Sequence, residues 1–346
     1  MRLFVLSHYP PIRGGISAYA DQLVVALRDS GHDVVVASPE RSDAELVLNI
    51  CDRGAGLRLA KLVRRFDRLI VQFQPEMLGA PSAPRRSQVM SLLRLAAGML
   101  AARSCDVYVH EVGYGRGALA PVWRAVLGRV LRLADVVTVH TEVERSDLAA
   151  GFRISEDRIR VVSQGAHLKR RTDRDQAAAR VALDLPGDQA LLLAIGHLQP
   201  HKGFDRAIRA FAELRPERMR LYIVGSIRSE DPTSLDHVEE LRRLANETPG
   251  AELREGYVSD VAFDEWIVAA DALVLPYRHG VSSNVMERGL LYEKPVIMSR
   301  VGGMVDQGTD RAHVTLVDGD NELLEALSRT VDQVLATRQA IDSLSD

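Results

Sequence analysis

The chain has few cysteines and no long apolar run. Its 346 residues include two cysteines, Cys51 and Cys105, which are too few for a disulfide framework and show no metal-ligand spacing. We interpret both as small buried apolar residues in a protein of a reducing compartment. No stretch approaches the ~20 apolar residues of a membrane-spanning helix, and the N-terminal apolar run is too short for a signal peptide. These absences predict a protein that is soluble or peripheral to a membrane.

A large net charge is also absent, but the near balance hides an asymmetry. The formal net charge is −3, and the pI near 6.4 does not favour binding of the whole chain to a polyanion such as nucleic acid. Residues 1–175 contain 26 Lys and Arg against 19 Asp and Glu, whereas the remaining residues contain 18 against 28. The opposite signs predict that the two halves face different partners.

Short β-branched runs alternate with longer amphipathic stretches, in the repeated order strand, helix, strand. This order is typical of a parallel sheet covered by helices on both faces. The series starts again after the polar segment 169–189, which contains a Pro-Gly pair. We therefore predict an α/β chain of two doubly wound, Rossmann-like domains, a basic one over residues 1–172 and an acidic one over 173–346. The last helix is a candidate for packing back on the first domain, and two facing domains would hold a substrate beyond the carboxyl ends of their strands.

The first predicted strand is followed by a glycine pair, Gly14 and Gly15, and then by a helix. Glycine lets the backbone approach a ligand closely, and a helix N-terminus offers free N–H groups to an anion. The dinucleotide fingerprint G-x-G-x-x-G is missing from this turn, which weakens an interpretation as an NAD site. A tight turn that binds nothing is the alternative.

The first strand of the second half leads into a loop from Gly196 to Gly203 that contains His197 and Lys202. A lysine and an ionisable histidine at a strand end can neutralise a diphosphate leaving group, on which charge develops in the transition state of a transferase. The alternative is a lysine that is only solvated, as most surface lysines are.

A third segment has the order strand, capped helix, strand. Ser283 and Asn284 stand where the helix begins, and the backbone amides of Asn284, Val285 and Met286 could hold phosphate or ribose oxygens. Glu287 would favour the first helical turn through the helix dipole alone.

Seven short motifs follow one another over nearly the whole chain. They are Pro-x-x-Gly-Gly at 11–15, the strand that ends in His110, the turn at 159–167, the loop 196–203, Val-Gly at 224–225, Gly-x-Val-Ser-Asp at 256–260, and Lys-Pro-Val-Ile with a Val-Gly-Gly loop at 294–303. Together they resemble the GT-B glycosyltransferases of family four, which move a sugar from a nucleotide-sugar donor without a metal. The resemblance implies a retaining, metal-independent hexosyltransferase-like enzyme of glycan, glycolipid or natural-product biosynthesis. It implies no cofactor, since the nucleotide sugar is a co-substrate, and leaves UDP and GDP types open.

The resemblance also implies roles for individual residues. His110 would lie near the transferred sugar, Lys202 would hold the diphosphate, and His197 would stand in the same loop, so these three are the catalytic candidates. His110 and Glu111 are alternatively an ordinary pair at a strand end. The acceptor-side candidates are His8, Tyr9 and Glu111, and the donor-side candidates are Gly14, Gly15, Gly196, Lys202, Gly225, Val258, Ser283, Asn284, Val285, Met286 and Arg288.

This sequence departs from the family pattern at the groups that hold the nucleotide. The family's diphosphate-contacting arginine is His197 here, which lacks the guanidinium fork. The family's two glutamates, seven residues apart, align with Gly280 and Arg288, and an arginine cannot accept a hydrogen bond from a ribose hydroxyl. Either the nucleotide is held differently or donor binding is impaired. Glu287 lies about 100° away around the helix and would substitute only after a register shift, and Asp306 is a second possible compensation.

The departures leave other functions open. A catalytically silent GT-B subunit that regulates an active partner would explain the lost glutamates and arginine. Asp318 and Asp320 follow a strand and would suit a metal-dependent transferase, although they lie far from the nucleotide motifs. A sugar epimerase on the same two-domain fold is a further alternative.

The basic half suggests an acceptor carried by a lipid. Arg58, Lys61, Arg64, Arg65 and Arg68 are close in sequence, and an apolar stretch with arginines at both ends follows at 85–103. Such a segment could lie on an anionic bilayer surface, which would make the protein cytoplasmic and peripheral at the inner membrane. A packed core helix with solvated arginines is the alternative. The expected partners are thus a nucleotide sugar and a sugar, lipid-linked or small-molecule acceptor, without nucleic acid, and the oligomeric state is open.

Overall fold

The chain folds into two compact units, Met1–His167 and Leu168–Asp346, and each is described by itself. Both are parallel-sheet α/β structures, which confirms the predicted fold class. The computed structural model describes residues 1–12, 14–80, 83–110, 120–227 and 231–345.

The first unit is built on a seven-stranded parallel sheet. Its strands are β1 (Arg2–Leu6), β2 (Asp33–Ser38), β3 (Leu46–Val47), β4 (Arg68–Phe73), β5 (Cys105–Val109), β6 (Val136–Val139) and β7 (Ile159–Val161), in the spatial order β3-β2-β1-β4-β5-β6-β7. Its α-helices are α1 (Gly15–Asp29), α2 (Ala55–Val63), α3 (Arg85–Ala101), α4 (Ala120–Leu131) and α5 (Glu142–Phe152).

Side chains alternate across this sheet and build one apolar cluster on each face. In β1, Phe4 and Leu6 belong to the cluster that also contains Leu59 and Trp123, whereas Leu3 and Val5 belong to the cluster that contains Tyr19 and Leu23. All four β1 side chains are at most 2% exposed. A strand buried on both faces reads as a continuous apolar run, as the sequence does here.

The second unit has a six-stranded parallel sheet. Its strands are β8 (Ala190–Ile195), β9 (Met219–Gly225), β10 (Ala251–Glu255), β11 (Ala272–Leu275), β12 (Val296–Ser299) and β13 (Val314–Val317), in the spatial order β10-β9-β8-β11-β12-β13. Its helices are α6 (Gln176–Ala182), α7 (Phe204–Leu214), α8 (Pro232–Glu247), α9 (Asp260–Ala269), α10 (Asn284–Leu291), α11 (Met304–Gly308) and α12 (Gly319–Ser345). The last helix, α12, packs in this unit against α7, β12 and β13.

Two glycines bring the carboxyl ends of β8 and β9 into close contact. A Cβ atom on Gly225 would lie 1.7 Å from the carbonyl oxygen of Gly196, so no larger residue fits without moving the backbone. Gly203 has φ 65°, and a Cβ there would lie 2.1 Å from the carbonyl oxygen of Pro276. The loop 196–203 is therefore held against both β9 and the segment after β11.

The structure corrects two expectations, one about Arg68 and one about Cys51. Arg68 is not part of a surface cluster, because it begins β4 and its guanidinium pairs at 2.8 Å with the buried carboxylate of Asp106. That pairing offsets the cost of burying a charge. Both cysteines are free thiols, and Cys105 is buried as expected, but Cys51 is only half-buried.

Candidate active site

In the second unit, several predicted site residues follow the carboxyl ends of neighbouring strands. Gly196, His197 and Lys202 follow β8, Gly225 ends β9, and Val258 lies in the loop after β10. Because all six strands are parallel, these loops share one edge of the sheet. Half-buried His197 lies in the same loop as Lys202, and Val258 packs against the apolar cluster that contains Met286.

Lys202 and the start of α10 are linked through Tyr277. The Lys202 Nζ atom lies 3.9 Å from the centre of the Tyr277 ring, an arrangement in which the ring face attracts the cation. The Tyr277 hydroxyl lies 3.4 Å from the Ser283 Oγ atom, and Ser283 is the residue that caps α10. The structure thus brings together the lysine and the helix N-terminus that the sequence predicted as separate parts of one donor site.

The loop that carries Lys202 is fixed by an ion pair that sequence reasoning missed. Arg278 donates two hydrogen bonds of 2.7 Å to the carboxylate of Asp205, in the first turn of α7. It also donates to the Pro200 carbonyl, and its backbone amide donates to the His201 carbonyl. The pair holds the pKa of Asp205 below its usual value, because the hydrogen bonds and charge of Arg278 outweigh the effect of burial. The two partners are separated by 73 residues, so no local pattern reveals them.

The N-terminus of α10 is built to stay in place. The Ser283 hydroxyl accepts a hydrogen bond from the Met286 amide, and the side chain of Gln307 both accepts from the Ser283 amide and donates to its carbonyl. The helix begins at Asn284, so the amides of Asn284 and Val285 belong to its first turn, where a helix leaves N–H groups without intrahelical partners. This end of α10 can receive an anion without a basic side chain.

Arg288 is placed differently from the other donor-side candidates. Arg288 is 4% exposed, and its guanidinium donates to Asp264 at 2.8 Å and to Asp260 at 3.3 Å, both on α9. It also lies over the Phe263 ring, 5.2 Å from the ring centre. The side chain joins α10 to α9, and the structure does not bring it together with Lys202.

Gly280 aligns with the first glutamate of the family pattern, and Glu287 and Asp306 are the two residues that could compensate for the missing glutamates. A Cβ atom on Gly280 would lie 2.8 Å from the Met304 sulfur, so a glutamate there would require Met304 to move. Glu287 is buried and accepts hydrogen bonds from Gln307 and Arg311. Asp306 is exposed on α11.

In the first unit, His110 lies among other polar rings at the carboxyl edge of the sheet. Its Nε2 atom contacts the Gln72 amide, and its Nδ1 atom lies 3.3 Å from Nε2 of His140, which follows β6. Tyr19 of α1 packs edge-on against both rings and against His167. Burial, together with the neighbouring His140 ring, lowers the pKa of His110 to about 3, so His110 is neutral at physiological pH.

The acceptor-side candidates lie near the first strand. The His8 Nδ1 atom lies 2.8 Å from the Gln74 amide nitrogen, and burial lowers the pKa of His8 despite Glu40 and Glu76. The Tyr9 hydroxyl donates to Asp21 of α1, and burial followed by the nearby Asp21 charge raises the pKa of Tyr9 to about 12. Glu111 lies outside the described residues.

Gly14 and Gly15 are exposed at the start of α1. No described residue has an atom within 4 Å of where a Cβ atom on either glycine would stand. Gly14 has φ 151°, which side chains rarely adopt. The first turn of α1 is therefore open to close approach of a ligand to the backbone.

The site residues predicted from the sequence do not include Tyr19, Gln72, His140 or His167. A usable signal was present, because His8, His110 and His140 each follow a strand of one parallel sheet by one or two residues. Strand-end residues of a parallel sheet meet at one edge, so a repeated strand-end histidine predicts a cluster. Tyr19 gave no such signal, since an aromatic residue in an amphipathic helix is usually part of the core.

The acidic pair proposed for a metal is engaged in ion pairs. Asp318 lies 3.1 Å from the Arg300 guanidinium, and Asp320 lies 2.5 Å from that of Arg206. Within the described ranges, no group of three or more His, Cys, Asp or Glu side chains could hold a metal ion. None of the described helices is both long enough and apolar enough to span a bilayer.

Comparison with known proteins identifies the family. A family model described as "Glycosyltransferase Family 4" matches residues 13–170, and one described as "Glycosyl transferases group 1" matches residues 189–336. The chain is 27% identical over 365 residues to the GDP-mannose-dependent alpha-(1-6)-phosphatidylinositol monomannoside mannosyltransferase of Mycolicibacterium smegmatis, covering 96% of this chain and 89% of that protein. It is 31% identical over 196 residues to D-inositol 3-phosphate glycosyltransferase 2 of Catenulispora acidiphila, covering 55% of this chain and 46% of that protein. The match thus spans about half the length of the latter relative.

Solved structures show the same fold at low sequence identity. Anabaena HepE in complex with UDP-glucose has a TM-score of 0.73 and 15% identity, with 98% of this chain and 92% of that chain covered. Sucrose-phosphate synthase from Thermosynechococcus elongatus has a TM-score of 0.72 and 18% identity, with 98% and 90% covered. With both family models matched in order and the predicted two-sheet fold present, the chain belongs to the family-four glycosyltransferases of the GT-B fold.

Proposed function

We propose that this glycosyltransferase binds a nucleoside-diphosphate sugar through its second unit and moves the sugar to a hydroxyl group of an acceptor bound by its first unit. The observation that carries the proposal is the contact between Lys202 and Tyr277 and between Tyr277 and Ser283. Through these contacts, the Lys202 ammonium group and the N-terminus of α10 lie beside the same tyrosine side chain. A diphosphate is the leaving group that such a pair stabilises best.

The roles of these groups follow from their charge. The Lys202 ammonium would neutralise the charge that develops on the diphosphate as the glycosidic bond breaks, and the first amides of α10 would donate to its oxygens. We propose a retaining reaction without a metal, in which the departing diphosphate accepts the proton of the attacking hydroxyl. Because Arg288 pairs with α9, we propose that the ribose is held by other groups of the loops after β10 and β11.

A donor panel tests the proposal. Purified chain is mixed with UDP-, GDP-, ADP- and dTDP-sugars, in EDTA and without it, and slow donor hydrolysis and thermal shift are measured. GDP-mannose is tested first, since the M. smegmatis relative is named as dependent on it. A binding donor raises the apparent stability by RT ln(1 + [L]/Kd), about 2.7 kcal/mol at 100 Kd.

The outcomes of the panel separate the parts of the proposal. Turnover that persists in EDTA supports a metal-independent reaction, and the configuration of the transferred sugar at its anomeric carbon reports retention or inversion. No shift and no hydrolysis with any donor would contradict a nucleotide-sugar site. The comparisons do not favour a silent regulatory subunit, because the relatives named above are glycosyltransferases.

We further propose that the outer face of α2 and α3 contacts an anionic membrane that carries the acceptor. Met90, Leu93 and Leu100 are 49%, 50% and 71% exposed, and with Ala97 they follow the spacing of one helix face. Leu57 of α2 is 71% exposed. The basic side chains of this membrane face are Arg58, Lys61, Arg64, Arg65 and Arg86, all exposed.

The two helices present this face as one rigid surface. A Cβ atom on Gly98 of α3 would lie 2.2 Å from the Leu59 side chain of α2, so the helices pack in close contact. The opposite side of α3 is buried, with Leu92, Leu95 and Met99 in the core. The segment therefore combines a packed core face with an exposed apolar stripe flanked by basic residues, the pattern that binds bilayer surfaces.

Vesicle sedimentation tests the membrane proposal. At low salt we expect binding to vesicles that contain phosphatidylglycerol and little binding to pure phosphatidylcholine. Each basic residue near an anionic surface contributes about 1 kcal/mol, so the triple variant K61E, R64E, R65E should bind at least ~10²-fold more weakly. The matched control is R215E, R218E, R329E, which reverses three exposed arginines of the second unit. Equal binding of the triple variant and the control would contradict the proposal.

A further inference from the structure

Three polar side chains in the first unit form a hydrogen-bonded chain that ends on a backbone carbonyl. The chain runs from Gln72 through His110 and His140 to the carbonyl of Val162. Its rings pack closely, since the His110 and His140 ring centres are 5.1 Å apart. Donors and acceptors must alternate along such a chain. Whether the group at one end donates or accepts therefore determines the direction of every hydrogen bond in it.

The direction of the hydrogen bond is certain at the carbonyl end of the chain. The Val162 oxygen can only accept, and it lies 3.0 Å from Nδ1 of His140. His140 must therefore carry a proton on Nδ1 to make this bond. We take the ring of His140, which is 6% exposed, as neutral, and the nitrogen spectra below test this directly. A neutral His140 with its proton on Nδ1 has a bare Nε2 atom, which can only accept.

The protonation of His110 follows from that of His140. Nε2 of His140 lies 3.3 Å from Nδ1 of His110, so His110 must donate from Nδ1. Burial and the His140 ring lower the pKa of His110 to about 3, and a neutral ring carries one proton only. Nε2 of His110 is thus left with its lone pair.

Gln72 closes the chain as a donor. The structure places the Gln72 Oε1 atom against Nε2 of His110. A bare Nε2 atom needs an N–H partner, so the Gln72 amide must be turned by 180° to bring its nitrogen there. The oxygen and the nitrogen of a glutamine amide are told apart only by the hydrogen bonds that they make. Here the Val162 carbonyl determines the direction of those hydrogen bonds. Gln72 is 1% exposed, and its other amide atom has no hydrogen-bond partner among the described residues.

We propose that His140 is a positioning residue that fixes the tautomer of His110, so that His110 presents the lone pair of Nε2 to a substrate hydroxyl. The distances between the rings and the position of the Val162 carbonyl are the observations that determine this tautomer. The part concerning a substrate rests on the proposed function, because it requires a sugar hydroxyl to displace the Gln72 amide. A hydroxyl that reaches His110 must then donate its hydrogen, and a substrate group that can only accept gains nothing there.

The tautomer is measured directly by nitrogen NMR of the imidazole rings. The protein is labelled with ¹⁵N-histidine, and the His110 signals are assigned by their loss in His110→Gln. Two-bond proton–nitrogen correlations distinguish a protonated from a bare ring nitrogen. In the wild-type chain at pH 7.5 we expect His110 to show a protonated Nδ1 and a bare Nε2. A proton on Nε2 of His110 would overturn the proposal, as would two protonated nitrogens on His140.

His140→Phe tests the positioning role. The substitution keeps a ring beside Tyr19 but removes both nitrogens, so His110 loses the acceptor for its Nδ1 proton. We expect the pure Nδ1-protonated form to be lost and the Nε2-protonated form to appear beside it. The matched control is His167→Phe, whose ring also packs against Tyr19, with centres 6.0 Å apart, but stands outside the chain. It should leave the His110 tautomer unchanged.

The outcomes are separate from those of the donor panel. An unchanged His110 tautomer in His140→Phe would overturn the proposal, and a shift in both variants would show that ring packing sets it. If His140→Phe does not fold, the wild-type spectrum decides alone, because it already tests the predicted protonation of both rings. A confirmed tautomer in a chain that transfers no sugar would contradict the proposed function and leave this assignment standing.

Discussion

Replacing Lys202 with methionine lowers kcat/KM for glycosyl transfer by roughly 10²-fold or more, which corresponds to about 2.7 kcal/mol of transition-state stabilisation. Methionine keeps an apolar stem over the Tyr277 ring and removes only the charge. The loss falls mainly on kcat, because negative charge on the diphosphate grows as the glycosidic bond breaks. An interaction that is stronger in the transition state than in the ground state acts on kcat.

Steady-state kinetics with the donor found in the panel provides the measurement. Lys202→Arg should recover part of the rate, since it restores a positive charge but not the position of a compact ammonium group. Arg215→Met is the control, because Arg215 is exposed at the far end of α7, the helix that follows the Lys202 loop. A near-wild-type rate in Lys202→Met would remove this lysine from the mechanism. Equal losses in Lys202→Met and Arg215→Met would show that the assay reports net charge.

The fold was predictable because its signals are local. Buried parallel strands appear as continuous apolar runs. The amphipathic pattern after the Lys202 loop predicts a helix from Phe204 to Leu214, and α7 has these bounds. The apolar spacing predicts a helix from Leu235 to Asn246, but α8 begins at Pro232, because the Asp231 side chain caps it by accepting from the Ser234 amide. Capping residues and proline at the first position carry that information in the sequence.

The site was predictable only in part, because its decisive contacts join distant residues. Lys202 and Ser283 were predicted from local motifs, yet the Tyr277 ring that links them has no local pattern. The direction of a side chain is a further limit. Arg288 stands at a position where the family has a ribose-binding glutamate, and only the partners Asp264 and Asp260 show that it faces α9.

Replacing Arg288 with methionine destabilises the second unit by about 3–5 kcal/mol, because it leaves the carboxylate of Asp264 buried without its cation. Asp264 has 1% of its surface exposed, and it also accepts from the Tyr292 hydroxyl and the Arg171 amide. Those neutral donors do not replace a charge. For a unit of this size the loss lowers Tm by roughly 6–20 °C, measured by calorimetry.

Arg288→Glu restores the family's residue and is expected to be still less stable, since it places a like charge against Asp264 and Asp260. Arg288→Met with Asp264→Asn should recover part of the loss, and the double-mutant cycle gives the coupling between the two side chains. Arg242→Met is the matched control, because its pairs with Glu239 and Glu255 are on the surface and are worth at most about 1 kcal/mol. The rise in Tm on adding saturating nucleotide should persist in Arg288→Met, because the guanidinium is engaged with α9. Full stability of Arg288→Met combined with loss of the nucleotide shift would instead assign Arg288 to the ribose, and the ion pair with α9 would then be incidental to folding.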